Sequence, residues 1–282
     1  MSLRNAISVD VEGFAESNEE SFRIPGHLLD PGCRDREVAR NTRAVLDLFA
    51  STRTRATMFF LGRIARDDPA LVRAVADAGH EIGCHGEEHR RVFNLSPAAF
   101  GEAVRAARLR LEDAAGCPVT GFRAPDFSIT AASAWAFDVL LEAGFRYDSS
   151  VYPTSLHDVY GIAGAPRDIH RLPNGLVEFP MSTVEVLGRR VPFGGGGYFR
   201  LYPVAVTRWL ILRENAAGRP CMIYIHPYEL GPEVPDVPGL SPLRRFRHYH
   251  GIADGASRMR RLLDGLRVGT AAQVLAERGP HA

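Results

Sequence analysis

No stretch of about 18 consecutive apolar residues occurs in these 282 residues, so no segment reads as a helix that crosses a bilayer. The first residues, Met1-Ser2-Leu3-Arg4-Asn5, lack the apolar core of a secretory signal, and a cytoplasmic location is expected unless a leader was removed. An excess of either charge is missing too. With 34 Lys and Arg against 33 Asp and Glu the formal charge is +1, which excludes a global field recruiting nucleic acid or an anionic membrane; partners must be recognised locally. Cysteine is scarce. Cys33, Cys84, Cys117 and Cys221 lie too far apart for a C-x-x-C zinc pattern and are too few for a disulfide scaffold, so free, mostly buried thiols are expected. Repeats, low-complexity tracts and a clear linker are absent, and residues 1–282 are expected to form one domain. No G-x-G-x-x-G follows the first strand-like run, which removes the dinucleotide fingerprint. What remains, 45% hydrophobic and 24% charged, is ordinary for a globular chain long enough to bury a large core.

Short apolar runs alternate with helical patterns along most of the sequence. The runs are Asn5 to Val11, Ala56 to Leu61, His80 to Cys84, Val119 to Phe122, Phe145 to Tyr147, Leu176 to Pro180 and Pro220 to Ile225. Helices are predicted over 36–50, 69–78, 97–115, 131–143, 203–216, 253–266 and 270–278; Pro69 and Pro97 open two of them and Ser96 is a ready N-cap. Such alternation implies parallel β/α units. About seven of them predict an α/β fold, a distorted (β/α)7-type barrel, with an open doubly wound sheet as the rival. Residues 14–35, 152–173, 187–201 and 230–249 read as irregular loops, Gly194 to Gly197 forming a flexible segment.

Polar residues collect where the apolar runs end: Asp10 and Glu12, His85, Arg123, Asp148 and His226. In a barrel these strand ends are where chemistry is placed. His85 and His89 stand four residues apart, and a helical turn over 86–90 would put both imidazoles on one side, within reach of one cation. Two histidines and a carboxylate from elsewhere form a typical catalytic zinc set with a position left for water. The plain alternative is a pair of ordinary polar residues at a strand end. The same ligand types also suit a non-haem Fe(II) oxygenase, although the β/α alternation and His226 fit hydrolysis better.

Five short motifs in order carry a resemblance: Ser8-Val9-Asp10-Val11-Glu12, His85-Gly86-Glu87-Glu88-His89, Arg123-Ala124-Pro125, Asp148-Ser149-Ser150-Val151-Tyr152 and Ile223-Tyr224-Ile225-His226. Together, from about Ala6 to His226, they resemble the polysaccharide deacetylase family, carbohydrate esterase family four, built on the NodB homology domain. The first motif is similar to the D-V-E form of a branch linked to exopolysaccharide loci. Gly86 stands where the family usually has a hydroxyl residue. The resemblance implies a single catalytic domain of the NodB barrel kind, acting as a metal-dependent hydrolase that removes N-acetyl groups from an acetamido sugar of a cell-surface polysaccharide or glycoconjugate.

It also implies roles. Glu12, His85 and His89 would hold Zn²⁺ or another divalent transition metal, with Asp10 the alternative carboxylate ligand. Asp10 would act as general base, kept ionised by Arg123, and His226 would protonate the departing amine. Asp148 would hydrogen-bond His226 and fix its tautomer, and a backbone N–H after the Asp148 strand would face the oxyanion. Arg123 with Asp10 and Asp148 with His226 read equally as buried structural pairs. Pro125, Tyr152, Tyr198 and Phe199 are expected against the sugar, the last two on a mobile rim; a tight turn with a buried aromatic is as good a reading of that rim. Arg244, Arg245, Arg247 and His248 are either a wet surface or a contact for an acidic sugar or phosphate. The expected partner is an acetylated sugar or oligosaccharide, without nucleic acid. Two other functions fit in part: a cyclic-amide hydrolase of the allantoinase kind, whose members tend to lack the acid pair, and a sugar-binding protein without turnover.

Overall fold

In the computed structural model, which describes residues 3–20, 23–156 and 160–278, the seven apolar runs become parallel strands of one curled sheet. In chain order the strands are β1 (Asn5–Val11), β2 (Thr57–Phe60), β3 (Glu81–Cys84), β4 (Gly121–Phe122), β5 (Tyr147–Asp148), β6 (His170–Arg171), β7 (Val177–Glu178), β8 (Thr183–Val186), β9 (Arg189–Pro192), β10 (Met222–Ile225) and β11 (Val268–Gly269). Their order in the sheet is β10-β1-β2-β3-β4-β5-β7-β6, with β11 beside the start of β1 and β8–β9 forming a separate hairpin. Strand β6 runs antiparallel to β7 and ends the sheet there. The two edges do not pair, so the α/β fold is a curled half-barrel.

Alternation along β1 sets up the site. Ile7, Val9 and Val11 pack into the main core against the helices, while Ser8, Asp10 and Glu12, two residues apart, share the inner side. That inner side is filled by Phe59, Tyr147, Tyr224, Phe127 and Met181. Two glycines make the filling possible. A Cβ at Gly83 would stand 2.4 Å from the Phe59 ring, and one at Gly121 would overlap the hydroxyl end of Tyr147.

Several stretches read as loops are regular. Residues 187–201 contain β9 and the short helix Gly197–Leu201, and 230–249 contain the helix Pro242–Tyr249; each element is too short for its period to stand out. The helix predicted to begin at residue 36 starts at Pro31, which fills a first-turn position where its missing N–H costs nothing. Gly194 to Gly196 are not a flexible segment. The Tyr224 N–H donates to Gly194 O (2.7 Å) and the Gly196 N–H to Tyr224 O (2.9 Å), laying this segment along the free edge of β10. A Cβ at Gly195 would come within 1.9 Å of Tyr224 O, so only glycine permits that approach. Among the described residues no helix is long and apolar enough to cross a membrane, and all four cysteines are free thiols.

The segment after Glu12 is clamped from below. Arg63, 1% exposed, donates Nε to Glu16 Oε1 (2.5 Å), Nη2 to Glu16 Oε2, and Nη1 to Asp35 Oδ1 (2.8 Å). Glu16 in turn accepts the Gly13 N–H. Replacing Arg63 leaves Glu16 buried with its charge unpaired, so Arg63→Ala is expected to lower stability by about 3–5 kcal/mol in urea unfolding.

Candidate active site

Glu12 leaves the end of β1 with 2% of its surface exposed and meets the histidines delivered by β3. Its Oε2 lies 2.9 Å from His89 Nε2 and 3.5 Å from His85 Nε2. The expected helical turn over 86–90 is absent; Gly86 turns the chain at φ +92° and residues 87–89 bend, which still brings the two rings to 5.7 Å. His85 Nδ1 sits 2.8 Å from the Arg123 carbonyl oxygen, which can only accept. Nδ1 therefore carries the proton, and in the neutral ring Nε2 is a bare lone pair. That lone pair faces Glu12 Oε2, a buried carboxylate oxygen that also meets His89 Nε2. Two electron-rich atoms converging in a buried gap leave a place for a cation, and the ligand atoms of Glu12, His85 and His89 all lie within 4.8 Å of one another. Burial pulls the His89 pKa down, but the charge and contact of Glu12, with Asp126 and Glu16 behind, raise it to about 9. Burial likewise opposes ionisation of Glu12, and the three surrounding histidines overcome it, holding this carboxyl well below the usual range. The pocket favours positive charge facing Glu12.

Asp10 is held separately. Arg123, fully buried, donates Nη1 to Asp10 Oδ1 at 2.7 Å and to the Ser8 hydroxyl at 2.7 Å; its other nitrogens reach Ser149, and its plane lies 4.3 Å over Phe59. Of the two acids on β1 it is thus Glu12 that joins the histidines and Asp10 that joins the arginine.

His226, at the end of β10, corrects an expectation. Its Nδ1 is 3.1 Å from Glu229 Oε2 and its Nε2 is 3.2 Å from Glu12 Oε1, so its partner is Glu229 and not Asp148. The same Glu229 oxygen accepts the His226 backbone N–H at 2.8 Å, closing a turn that Pro227 opens. Arg200 Nε donates to the other Glu229 oxygen at 2.5 Å. Burial pushes the Glu229 pKa up, but Arg200 and His226 bring it down to about 2. Burial pushes the His226 pKa down, and its hydrogen bonds to Glu12 and Glu229, with their charge, lift it to about 10. Asp148 faces elsewhere. It accepts from the Ser150 N–H (2.9 Å) and hydroxyl (2.6 Å), and burial raises its pKa beside Glu178, also raised. The N–H groups proposed for an oxyanion are also engaged: Ser149 on Phe122 O, Ser150 on Asp148 and Val151 on Glu178. Asp148 shapes the turn whose Ser149 holds Arg123. The His-Pro-x-Glu spacing, an acid three residues past the start of a turn, was the signal for Glu229. Glu229→Gln keeps the shape but not the charge facing Nδ1, and is expected to bring the His226 pKa down from about 10, which Asp148→Asn leaves unchanged, as read from the ring's NMR titration.

Asp10, Glu12, His85, His226 and Glu229 lie on the floor of a cleft of about 450 Å³. Of the four residues expected against a sugar, only Tyr198 lines it. Phe199 and Tyr152 are each 1% exposed and Pro125 is buried; Tyr152 stacks on Tyr160 (5.1 Å, 11°) and supports the wall from behind. The aromatic walls are Phe127, Tyr160, Tyr224 and Tyr228, the last stacked on His226 at 5.0 Å. Residue type alone did not single these out, because aromatics on strand ends and in loops are as often core.

A curled α/β sheet with two histidines, two acids, an arginine and a further histidine at its strand ends is the setting in which the comparisons with known proteins fall. A polysaccharide deacetylase family model matches residues 30–147, and a model of a domain of unknown function, DUF3473, matches 149–276. The chain is 31% identical over 180 residues to a chitooligosaccharide deacetylase of Sinorhizobium fredii, covering 54% of this chain and 78% of that protein. It is 28% identical over 107 residues to a peptidoglycan deacetylase of Helicobacter pylori, a match spanning 38% of this chain and only 36% of the relative. A solved Mycobacterium smegmatis structure carrying the polysaccharide deacetylase description superposes with a TM-score of 0.64 at 20% identity, over 100% of this chain and 93% of that one, a likeness of fold. The chain belongs to the polysaccharide deacetylase family. His226 and Glu229 fall in the half matched by DUF3473.

Proposed function

We propose that this protein is a metal-dependent N-deacetylase, releasing acetate from an acetamido sugar of a cell-surface polysaccharide or glycoconjugate, with Zn²⁺ or a similar divalent transition metal held by Glu12, His85 and His89. The observation that carries the reading is the pairing on either side of that ligand set: Asp10 fixed by Arg123, and His226 fixed by Glu229. A bound divalent ion supplies Lewis acidity, making a water nucleophilic at neutral pH and polarising the acetamide oxygen. Asp10 then takes the proton of the attacking water, with Arg123 holding the carboxylate in position. His226, its Nδ1 set by Glu229, delivers a proton from Nε2 to the departing amine nitrogen. The aromatic walls hold the apolar faces of the sugar ring. The names of the relatives, one acting on chitooligosaccharides and one on peptidoglycan, support the substrate class. A cytoplasmic site of action is part of this reading, to be checked by cell fractionation.

The test is acetate release from N-acetylchitooligosaccharides by the purified protein, before chelation, after complete metal removal and after reloading. Activity is expected only with metal. Turnover that survives full removal rejects the mechanism, as does faster turnover of cyclic purine-degradation amides than of the sugars.

A further inference from the structure

Helix Val204–Ala216 is apolar on both of its sides. Thr207, Leu210, Ile211 and Glu214 are buried, and the opposite side carries Ala205, Val206, Trp209, Leu212, Arg213 and Ala216, all exposed. Trp209 keeps 56% of its surface in water, Leu212 47% and Val206 41%. A surface helix ordinarily turns charges outward; one that is apolar all round belongs inside an assembly, and clustered exposed apolar side chains mark a contact surface. The patch continues past the helix. Arg213 lies over the Trp209 ring (5.6 Å) and donates to Glu185 O (3.5 Å), tying the helix to the β8–β9 hairpin, where Val186 and Leu187 are exposed at the tip. Leu187 is 98% exposed and sits at φ +50°, a turn position that ordinarily takes glycine or asparagine.

The spacing says what covers it. Ala205, Trp209, Leu212 and Ala216 follow one another at intervals of four, three and four, the seam of a helix packed along another helix. The seam reads small, large, large, small from either end. Such an order suits a second copy turned end for end, because a two-fold axis midway between residues 210 and 211 brings each position onto its counterpart. Ala205 then meets Ala216 of the partner subunit, letting the backbones approach, and Trp209 meets Leu212 of the partner subunit and fills the centre. The same setting brings the first turn of the partner's helix to the end where Arg213 and the hairpin stand, so that Val186 and Leu187 gain an apolar cover in Val206 of the partner subunit. Charge agrees with this. The Glu185 carboxylate, 57% exposed, is carried to the positive end of that helix, where the first-turn N–H groups lack intrahelical acceptors. Two helices alone bury less than the roughly 800 Å² a side of a stable complex; the hairpins bring the pair to the lower end of that range, which sets a reversible dimer.

We propose that this protein forms a two-fold dimer through the outer side of helix Val204–Ala216, the hairpin tip of each copy resting on the helix start of the other. The dimer does not depend on the deacetylase reading, and its test needs no turnover. Sedimentation velocity of the full chain, 31.0 kDa, from about 1 to about 200 µM is expected to pass from monomer to dimer with a Kd on the order of 10 µM and without larger species. Leu212→Glu and, separately, Trp209→Glu put an acid in the seam and should weaken association at least about hundredfold, leaving monomer over this range at an unchanged Tm. Cross-linking fixes the geometry. In a chain with Cys33→Ser and Cys117→Ser, Ala205→Cys together with Ala216→Cys should oxidise to a bridged dimer, and Ala205→Cys alone should not, since the two copies of that position lie at opposite ends of the seam. If neither acidic variant folds, the cysteine pair decides. Wild-type protein that stays monomeric, a dimer that survives Leu212→Glu, association that grows into chains, or bridging by Ala205→Cys alone overturns the proposal. So does monomeric protein that co-sediments with phosphatidylglycerol vesicles and loses them in Trp209→Glu, which makes the patch a lipid contact.

Discussion

Asp10→Asn is expected to lower kcat for acetate release by about 10²- to 10⁴-fold, the usual contribution of a positioned general base, while bound metal stays at its wild-type stoichiometry. The structure separates these two outcomes. Asp10 is committed to Arg123 at 2.7 Å and stands outside the Glu12, His85, His89 set. The amide replacing its carboxylate can still meet the guanidinium through its carbonyl oxygen, so the fold should persist, but it cannot accept a proton from water. Metal analysis beside steady-state kinetics checks both halves. Loss of metal together with activity would make Asp10 a ligand and leave the base unassigned.

The complementary change is Glu12→Ala, which is expected to remove both metal and activity. Glu12 Oε2 is the buried carboxylate oxygen that meets both His89 Nε2 (2.9 Å) and His85 Nε2 (3.5 Å), and Glu12 is the carboxylate in contact with this pair of imidazoles. Without it, two neutral histidines are a poor site for a divalent ion, and dialysed protein should carry far less than one equivalent. His226 also loses its contact at Nε2, so kcat should stay low even in excess metal. A variant that keeps one tightly bound ion would overturn the assignment of the carboxylate ligand.

Much of this site was legible before any coordinates, because a parallel strand has a simple grammar. An apolar run of four to seven residues is buried on both faces, and the polar residue that ends it must lie at the rim of the sheet. Asp10, Glu12, His85, Arg123 and His226 follow from that rule, and the structure brings Asp10, Glu12, His85 and His226 to one floor with Arg123 buried against Asp10. Asp148 shows the limit of the rule. It too ends a strand, but its carboxyl turns onto Ser150 and Glu178, since the direction of a side chain at a strand end depends on which neighbours offer hydrogen bonds. Tyr198 lines the cleft as expected, but two of the three aromatic assignments failed for a related reason. Phe199 and Tyr152 sit beside glycine or motif residues, yet packing hid them, while Tyr160, Tyr224 and Tyr228 reached the cleft.

The sequence by itself determined the α/β class, the run of parallel strands and which residues stand at their ends, because these follow from periodicities of two and 3.6 residues within short windows. Only the tertiary structure decided that Glu229 and not Asp148 sets His226, that Arg200 braces Glu229, and that a helix of exposed leucine, phenylalanine and arginine borders the mouth. Those are contacts between side chains brought together from different elements, or across a turn whose geometry the local pattern does not specify. A one-dimensional pattern carries the spacing of residues along the chain and not the direction in which their side chains meet.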